Sequence, residues 1–437
     1  MIAQTEYQHR RETLLSRMDK NSLAIIPTNP EYPRTQDITY PFRPAGDFYY
    51  LTGFSEPEAI LVILSATAKE KARCVLFNRP RDKEREIWDG FRAGQEGAVL
   101  HYGMDEAFNI TEFEKELPTL LSSRDNIYYP VGGEFSLEGK ITNALNFLRA
   151  KVRKGINTPR AFFDVAALTH QMRLIKSDAE IAVIQKAADI NNEAHLRAMK
   201  ACRAGMSERA LAAELLYVYH QHDCLELAYH PIVATGDNAC ILHYYAGNRV
   251  LKEGELVLLD VGQEYEWYAS DVTRTYPVNG KFSREQQMIY ELVLHTQETI
   301  LHMIKPGLAY NKMQETAIRT LTQGLVDLKL LKGSVDSLIE EKAYLDFYMH
   351  GAGHWMGLEV HDVGQYKKND VWVPLEKGMV FTVEPGIYIS PSNLKVDEKF
   401  RGIGVRIEDD VLVTDKGVHN FNAALPKKVA EIERVRT

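Results

Sequence analysis

Acidic and imidazole side chains recur at four places in the second half of this chain, each in a context that can hold a side chain still. The first is LVLLDVGQEYEWYASDVTRTYPV, where Asp260 and Asp271 stand eleven positions apart. Leu256 to Val261 is an apolar run of strand character, Gly262 to Glu266 reads as a turn, and Trp267 to Val278 is rich in aromatic and β-branched residues. A hairpin turning near Tyr265 and Glu266 sets Asp260 opposite Asp271 on one sheet face, with Cβ atoms ~4.5–5.5 Å apart. Like charges this close destabilise the pair unless something neutralises them. One divalent cation, or two of them ~3.5–4 Å apart, does so directly. Taken alone, two aspartates so spaced are more often a turn cap and a solvated side chain.

Three further segments shift that balance. HGAGHWMGLEVHDVG supplies His350, His354 and His361, with Gly351, Gly353 and Gly357 leaving room for another backbone or a substrate. In MVFTVEPGIYI, Glu384 ends a β-branched strand and Pro385-Gly386 turns the chain away. In GVRIEDDVLV, Arg406 and Glu408 are i and i+2 on a strand, hence on one face, with Val405 and Ile407 on the other. Each has a plainer reading: a structural histidine, a solvated strand end, a surface ion pair of little energetic worth. Two aspartates on the hairpin, one His of the glycine-rich segment and two glutamates on later strands give four carboxylates and one imidazole. That oxygen-dominated set suits harder or borderline ions such as manganese(II) and differs from thiolate-rich structural zinc sites. Thr273, i+2 from Asp271, faces the same way and is placed to support the ligands.

The elements that must carry these residues fall into two groups. A chain of 437 residues is too long for one small domain, and two domains are expected. A 45% hydrophobic and 26% charged composition is that of a soluble globular protein rather than a disordered one. The net charge of −8, with no long basic block, gives no support to nucleic-acid binding. Four cysteines without CxxC spacing point to a reducing compartment, the cytoplasm. The first residues carry Arg10, Arg11, Glu12 and Arg17 instead of an apolar core, so no secretory signal is expected, and no apolar run reaches membrane-spanning length.

Before Lys176, Leu23 to Ile26, Ala59 to Leu64 and Cys74 to Phe77 read as strands and Thr142 to Val152 as a helix, an α/β arrangement. Ser177 to Glu180 then has capping-box spacing ahead of the stripe Ile181, Ile184 and Ala188. A second helix is expected from Ser207, with Leu211, Leu215 and Val218 at helical spacing, and another from about Arg284 to Leu301. With the ligand-bearing strands these make an α+β domain. No Gly-x-Ser-x-Gly elbow or His-Glu-x-x-His helix is present.

These segments resemble the pita-bread metallopeptidase family, and within it the Xaa-Pro aminopeptidases (aminopeptidase P). The family motifs are an Asp on each of two adjacent strands, a His in HGxxH followed by VHD or VHE, a Glu in VEPG and a Glu in RIED. The segment DFYYLTGFSEPEAILVIL, from Asp47 to Leu64, is similar to the family's N-terminal domain. The resemblance implies an α/β aminopeptidase P-type domain over residues 1–175. It implies an α+β pita-bread (creatinase/aminopeptidase-like) catalytic domain over 176–437. It implies two divalent metal ions, with Asp271 and Glu408 bridging them, Asp260 on one, and His354 with Glu384 on the other. A metal-bridging hydroxide then attacks the Xaa-Pro bond and Glu384 carries the proton. His243, in CILHYYAG, with His350, His361 and Arg406, matches positions that contact substrate or line its pocket. Tyr229 and Tyr388 match positions near the site, although packing explains them about as well. Trp88, in EIWDGFRAG, reads either as packing within its own chain or as a residue reaching a neighbouring subunit's pocket.

The implied substrate is a peptide with a free N-terminus and proline second. That bond is a tertiary amide without N–H, so an enzyme that grips an extended backbone through this donor loses its hold. Homotetramers or dimers are implied as well. A prolidase, restricted to Xaa-Pro dipeptides, shares the same site. A methionine aminopeptidase usually lacks such an N-terminal domain, and creatinase lacks the ligands. A pita-bread module that binds peptides without cleaving them would usually have lost several of the five.

Overall fold

The computed structural model describes residues 2–132, 137–224 and 226–436. The chain forms two compact units, Met1–Arg173 and Leu174–Thr437. The first unit is built on one mixed six-stranded sheet. Its strands are β1 (Ser22–Pro27), β2 (Ile60–Leu64), β3 (Arg73–Asn78), β4 (Glu106–Asn109), β5 (Asn126–Tyr128) and β6 (Ala161–Phe163), in the order β4-β3-β2-β1-β5-β6. β1, β2 and β3 are antiparallel, and the flanking pairs are parallel. The helices Phe113–Leu121 and Glu138–Arg149 lay Leu117, Leu121, Ile141 and Leu145 on the sheet residues Leu23, Val62 and Val75. The second of these helices begins and ends a few residues before the expected Thr142 to Val152. Asp47, in the first turn of the helix Gly46–Thr52, accepts from Arg173 Nη1 at 2.8 Å and Thr169 Oγ1 at 2.6 Å, with His170 Nε2 3.5 Å away.

The second unit opens on Ser177. Its hydroxyl accepts from the N–H of Glu180 while the Glu180 carboxylate accepts from the N–H of Ser177, the reciprocal cap expected from the spacing, worth about 1 kcal/mol. The helix Asp178–Ala201 buries Ile184, Ala188 and Ile190, and the helix Glu208–Gln221 buries Leu211, Leu215 and Val218. A third, Arg284–Met303, has its own capping box at Ser283 and Gln286.

Antiparallel strands carry the acids. β7 (Ile232–Thr235), β8 (Leu256–Val261) and β11 (Val272–Pro277) form one sheet, and the short β9 (Glu264–Tyr265) and β10 (Tyr268–Ala269) form the tip of the β8–β11 ribbon. Beyond the exposed pair β12 (Lys367–Lys368) and β13 (Val371–Trp372) come β14 (Val380–Val383), β15 (Gly386–Tyr388), β16 (Gly404–Arg406), β17 (Asp409–Thr414) and β18 (Gly417–Asn420). They pair as β14-β17-β18 and β15-β16.

Two expectations need correction. The hairpin turns at Glu266 and Trp267, both with left-handed φ (50° and 66°), one residue later than expected; Asp260 therefore pairs with Thr273, not with Asp271. Asp271 lies two residues before Thr273 and so keeps to the same face. Gly262 lets the ribbon pinch there, since a Cβ on it would lie 1.8 Å from the Ser270 carbonyl oxygen. The strand expected through Arg406 and Glu408 is broken: β16 ends at Arg406 and β17 starts at Asp409. Glu408 sits in the break, held by its N–H to Thr273 O at 3.1 Å, while Val405 and Ile407 remain in the core.

Candidate metal centre

Ten of the residues singled out above converge on one cavity of about 580 Å³ in the second unit: Tyr229, His243, Asp260, Asp271, His350, His354, His361, Glu384, Arg406 and Glu408. Thr273 and Tyr388 lie buried directly behind them. Trp88 belongs to the 1–173 unit. It is 84% exposed on the helix Lys83–Asp89, which buries none of its residues.

Ligand-type atoms of Asp271, His354 and Glu408 lie within 4.8 Å of one another. His354 Nε2 is 3.3 Å from Asp271 Oδ2 and 3.8 Å from Glu384 Oε1, and its Nδ1 is 3.2 Å from Trp355 O. A ring held by its Nδ1–H on a carbonyl presents Nε2 as a ligand. The HGxxH segment reaches this position because Gly353 passes against β14, where a Cβ would meet Thr382 O at 1.9 Å. Gly351, by contrast, faces only ordinary contact distances. Asp260 is held from two sides: Oδ2 accepts from Arg406 Nη2 and Nε at 2.5 and 3.1 Å, and Oδ1 from the Tyr229 hydroxyl at 2.6 Å. The same hydroxyl is 2.5 Å from Asp271 Oδ1. One phenolic proton cannot serve two carboxylates.

Electrostatics describe a site short of positive charge. Burial, then Asp271, Glu384 and Asp260, push the Glu408 carboxyl well above the usual carboxylate range. Burial also lifts Glu384 to about 7 despite His354 and Arg406, and lifts Asp260 against the opposing pull of Arg406. Burial acts the same way on Asp271, but the His354 hydrogen bond and charge outweigh it and lower this carboxyl. His354 answers in kind, raised to about 9 by Asp271 and Glu384 against its burial. Four carboxylates thus face one guanidinium and the imidazoles of His243, His350, His354 and His361, of which burial holds His350 down at about 3 and lowers His361. Hard oxygen donors with one imidazole, crowded and undercompensated, fit divalent cations.

The histidines sit around this cluster. His350 Nε2 is 2.8 Å from the Tyr388 hydroxyl, which accepts from Arg406 Nη1 at 2.7 Å, and His350 Nδ1 lies 2.7 Å from Gly351 O. The rings of His354 and His361 meet edge to face at 4.3 Å. Thr273 Oγ1 donates to Glu408 Oε2 at 2.6 Å.

Several supporting residues were not legible in the sequence. Asp410, fully buried, accepts from Asp271 N–H at 3.1 Å and Ser270 Oγ at 3.0 Å. Arg274, also fully buried, donates to Asp409 Oδ1 (2.7 Å), Glu408 O (2.7 Å), Thr273 O (2.9 Å), Pro426 O (3.1 Å) and Leu425 O (3.4 Å). Gln297 donates to Val383 O and Ile407 O, the carbonyls just before Glu384 and Glu408. The one available signal was the run Glu408-Asp409-Asp410 inside an apolar strand pattern, which demands buried partners.

A buried cluster of carboxylates and imidazoles in a cavity of an α+β unit defines a metallohydrolase-type site. The family model described as metallopeptidase family M24 matches residues 182–415, and that of the aminopeptidase P N-terminal domain matches residues 7–128. The Xaa-Pro aminopeptidase of Escherichia coli (strain K12) is 44% identical over 433 residues, spanning 99% of this chain and 97% of that one. The structure of Pseudomonas aeruginosa aminopeptidase PepP superposes with a TM-score of 0.97 at 47% identity, covering 100% of this chain and 99% of that one. Zn-substituted E. coli aminopeptidase P in complex with product superposes with a TM-score of 0.96 at 43% identity, covering 100% and 98%. The chain belongs to metallopeptidase family M24, with the pita-bread catalytic fold and an aminopeptidase P-type N-terminal domain.

Proposed function

We propose that this protein is a metal-dependent Xaa-Pro aminopeptidase, releasing the first residue from peptides whose second residue is proline. The observation that carries the reading is the convergence of Asp260, Asp271, His354, Glu384 and Glu408 in one cavity of a chain that resembles Xaa-Pro aminopeptidases over its full length. Residues 1–175 form the N-terminal domain and 176–437 the catalytic domain. Asp260, Asp271, His354, Glu384 and Glu408 would together hold divalent ions, manganese(II) by the hardness of the donors. Such ions supply a nucleophile at neutral pH by lowering the pKa of water, and stabilise charge on the attacked carbonyl oxygen.

The remaining work belongs to the chain. Glu384 holds a proton on its buried carboxylate and passes it to the proline nitrogen, which as a tertiary amide must gain one to leave. His243 and His361, at the cavity wall, donate to substrate oxygen. Tyr388 and Arg406 keep His350 in one orientation. Tyr229 keeps Asp260 and Asp271 in register.

The peptide is the partner; among the described residues no helix is long and apolar enough to cross a membrane. A cytoplasmic location is supported by four cysteines that are all free. A homo-oligomer is supported by Ile87, Trp88 and Phe91, 80–90% exposed on one stretch of the first unit. The deciding experiment strips metal, restores manganese(II), and follows release of the first residue from Xaa-Pro-Yaa and from Xaa-Pro. Cleavage of the tripeptide is expected; cleavage of the dipeptide alone would favour a prolidase, and none at all would refute the reading.

A further inference from the structure

His243 stands on a long connection between β7 and β8 that has no regular structure of its own apart from a short 3₁₀ turn over Gly236–Cys240. Loops of this length are mobile unless their own side chains and neighbours tie them down. Here one buried carboxylate does most of the tying. Glu208, the first residue of the helix Glu208–Gln221, is fully buried. Its Oε1 accepts from the Thr235 N–H at 2.9 Å and from Asn238 Nδ2 at 2.9 Å. Its Oε2 accepts from the Tyr244 hydroxyl at 2.8 Å and from the Gly247 N–H at 3.1 Å. Four donors fill the accepting capacity of a carboxylate, and all four belong to the segment 235–247 that brackets His243. The main chain continues the seam, with Glu208 N–H on Arg249 O at 3.0 Å and Arg209 N–H on Gly247 O at 3.1 Å. The helix N-terminus favours negative charge at this position.

We infer that Glu208 is a positioning residue of the reaction: it shapes the 235–247 loop so that His243 and its neighbours Leu242, Tyr244 and Tyr245 form one wall of the cavity. None of the five metal-ligand candidates is among its hydrogen-bond partners, so its contribution is separable from metal binding. The inference rests on the proposed peptidase reading, in which His243 touches substrate.

Glu208→Gln keeps size and shape but turns one accepting oxygen into an NH₂ group facing two donors. With manganese(II) restored, kcat for an Xaa-Pro-Yaa peptide is expected to fall between about ten- and about a hundredfold, the scale of an ångström misplacement of a reacting group. Manganese binding by calorimetry should stay within about twofold of wild type. A purely structural role would lower activity equally with or without His243, so the same change is made in His243→Ala, where it should cost less than about twofold. Equal losses in both backgrounds, or unchanged kcat, overturn the inference. If Glu208→Gln does not fold, Asn238→Ala, which removes a single donor, is put through the same cycle and must show the same coupling. A silent His243→Ala overturns this inference together with the role given to His243. Absence of any manganese-dependent cleavage in wild type overturns the peptidase reading itself.

Discussion

Replacing Arg274 with methionine should unlock the second unit from behind its cavity. The guanidinium is fully buried and makes five hydrogen bonds, one to Asp409 and four to backbone carbonyls, including those of Thr273 and Glu408. Methionine keeps an apolar stem as far as the position of Nε but is shorter than arginine and offers no donor. Removing one member of a buried ion pair costs about 3–5 kcal/mol, mostly because the other charge is left without compensation. Asp409 keeps Lys427 Nζ at 2.5 Å and Asn420 Nδ2 at 2.7 Å on its second oxygen, which places the loss near the lower end, about 3 kcal/mol. At about 2–4 °C per kcal/mol for a domain of this size, Tm should drop by about 6–12 °C. Arg274→Lys, retaining charge and one or two donors, should lose less than half as much. Because two of the vacated bonds fix the backbone at Thr273 and Glu408, beside the acidic cluster, manganese(II) affinity should fall together with Tm. Pairing the change with Asp409→Leu should restore part of the Tm, since a buried pair replaced by apolar groups is often neutral, but should not restore metal affinity. Scanning calorimetry and manganese titration of the variants check this. A Tm within about 1 °C of wild type would refute the energetic argument, and a large Tm loss with intact metal affinity would refute the link to Glu408.

Manganese(II) at about a hundred times its dissociation constant should stabilise stripped protein by about 2.7 kcal/mol per site; a thermal-shift series without concentration dependence would contradict a metal centre. Asp271→Asn should lower kcat/KM by about 10³-fold or more, the several kcal/mol that metal charge supplies, with the far-ultraviolet spectrum unchanged. In the first unit, burial disfavours the charged Asp47, but His170, Arg173 and Thr169 together hold it well below the usual carboxylate range. A depressed native pKa means stability present above the unfolded value of about 3.9 and lost as pH falls through the native one. The stability advantage of wild type over Asp47→Asn, read from urea unfolding at pH 6 and pH 3, should therefore shrink at the lower pH, and a constant difference would refute it. Phe91→Glu should reduce the mass found by light scattering if the exposed Ile87, Trp88 and Phe91 lie in a subunit contact; an unchanged mass would remove that patch from the interface.

The acids of this site were legible because they interrupt apolar strand patterns, where an unpaired charge is costly. Asp260 follows Leu256 to Leu259, and Glu384 follows Val380 to Val383, so their chemistry shows against a background of residues chosen for burial. Capping at Ser177 and the helix from Ser207 were legible for a different reason: both signals are local, within three or four residues. The hairpin register was misjudged because Glu266 and Trp267 take left-handed φ without the Asn-Gly or Asp-Gly sequence that usually marks such a turn. What could not be read are partnerships across long stretches of chain. Arg274 meets Asp409 across 135 positions, and Asp410 meets Ser270 across 140. Nothing in the neighbourhood of Glu208 announces that its carboxylate is the acceptor for a loop some 30 residues onward.

Gln297 offers a handle for retuning this pocket. A single amide, sunk in the helix Arg284–Met303, grips the peptide units that lead into Glu384 and Glu408, while its oxygen receives Lys427 Nζ at 2.8 Å. The gap between those two glutamates is consequently gauged by a residue that never enters the cavity. Libraries confined to pocket-lining positions would leave that gauge untouched, whereas a change in side-chain length at 297 would alter the spacing offered to ions of different radius without adding or deleting a ligand.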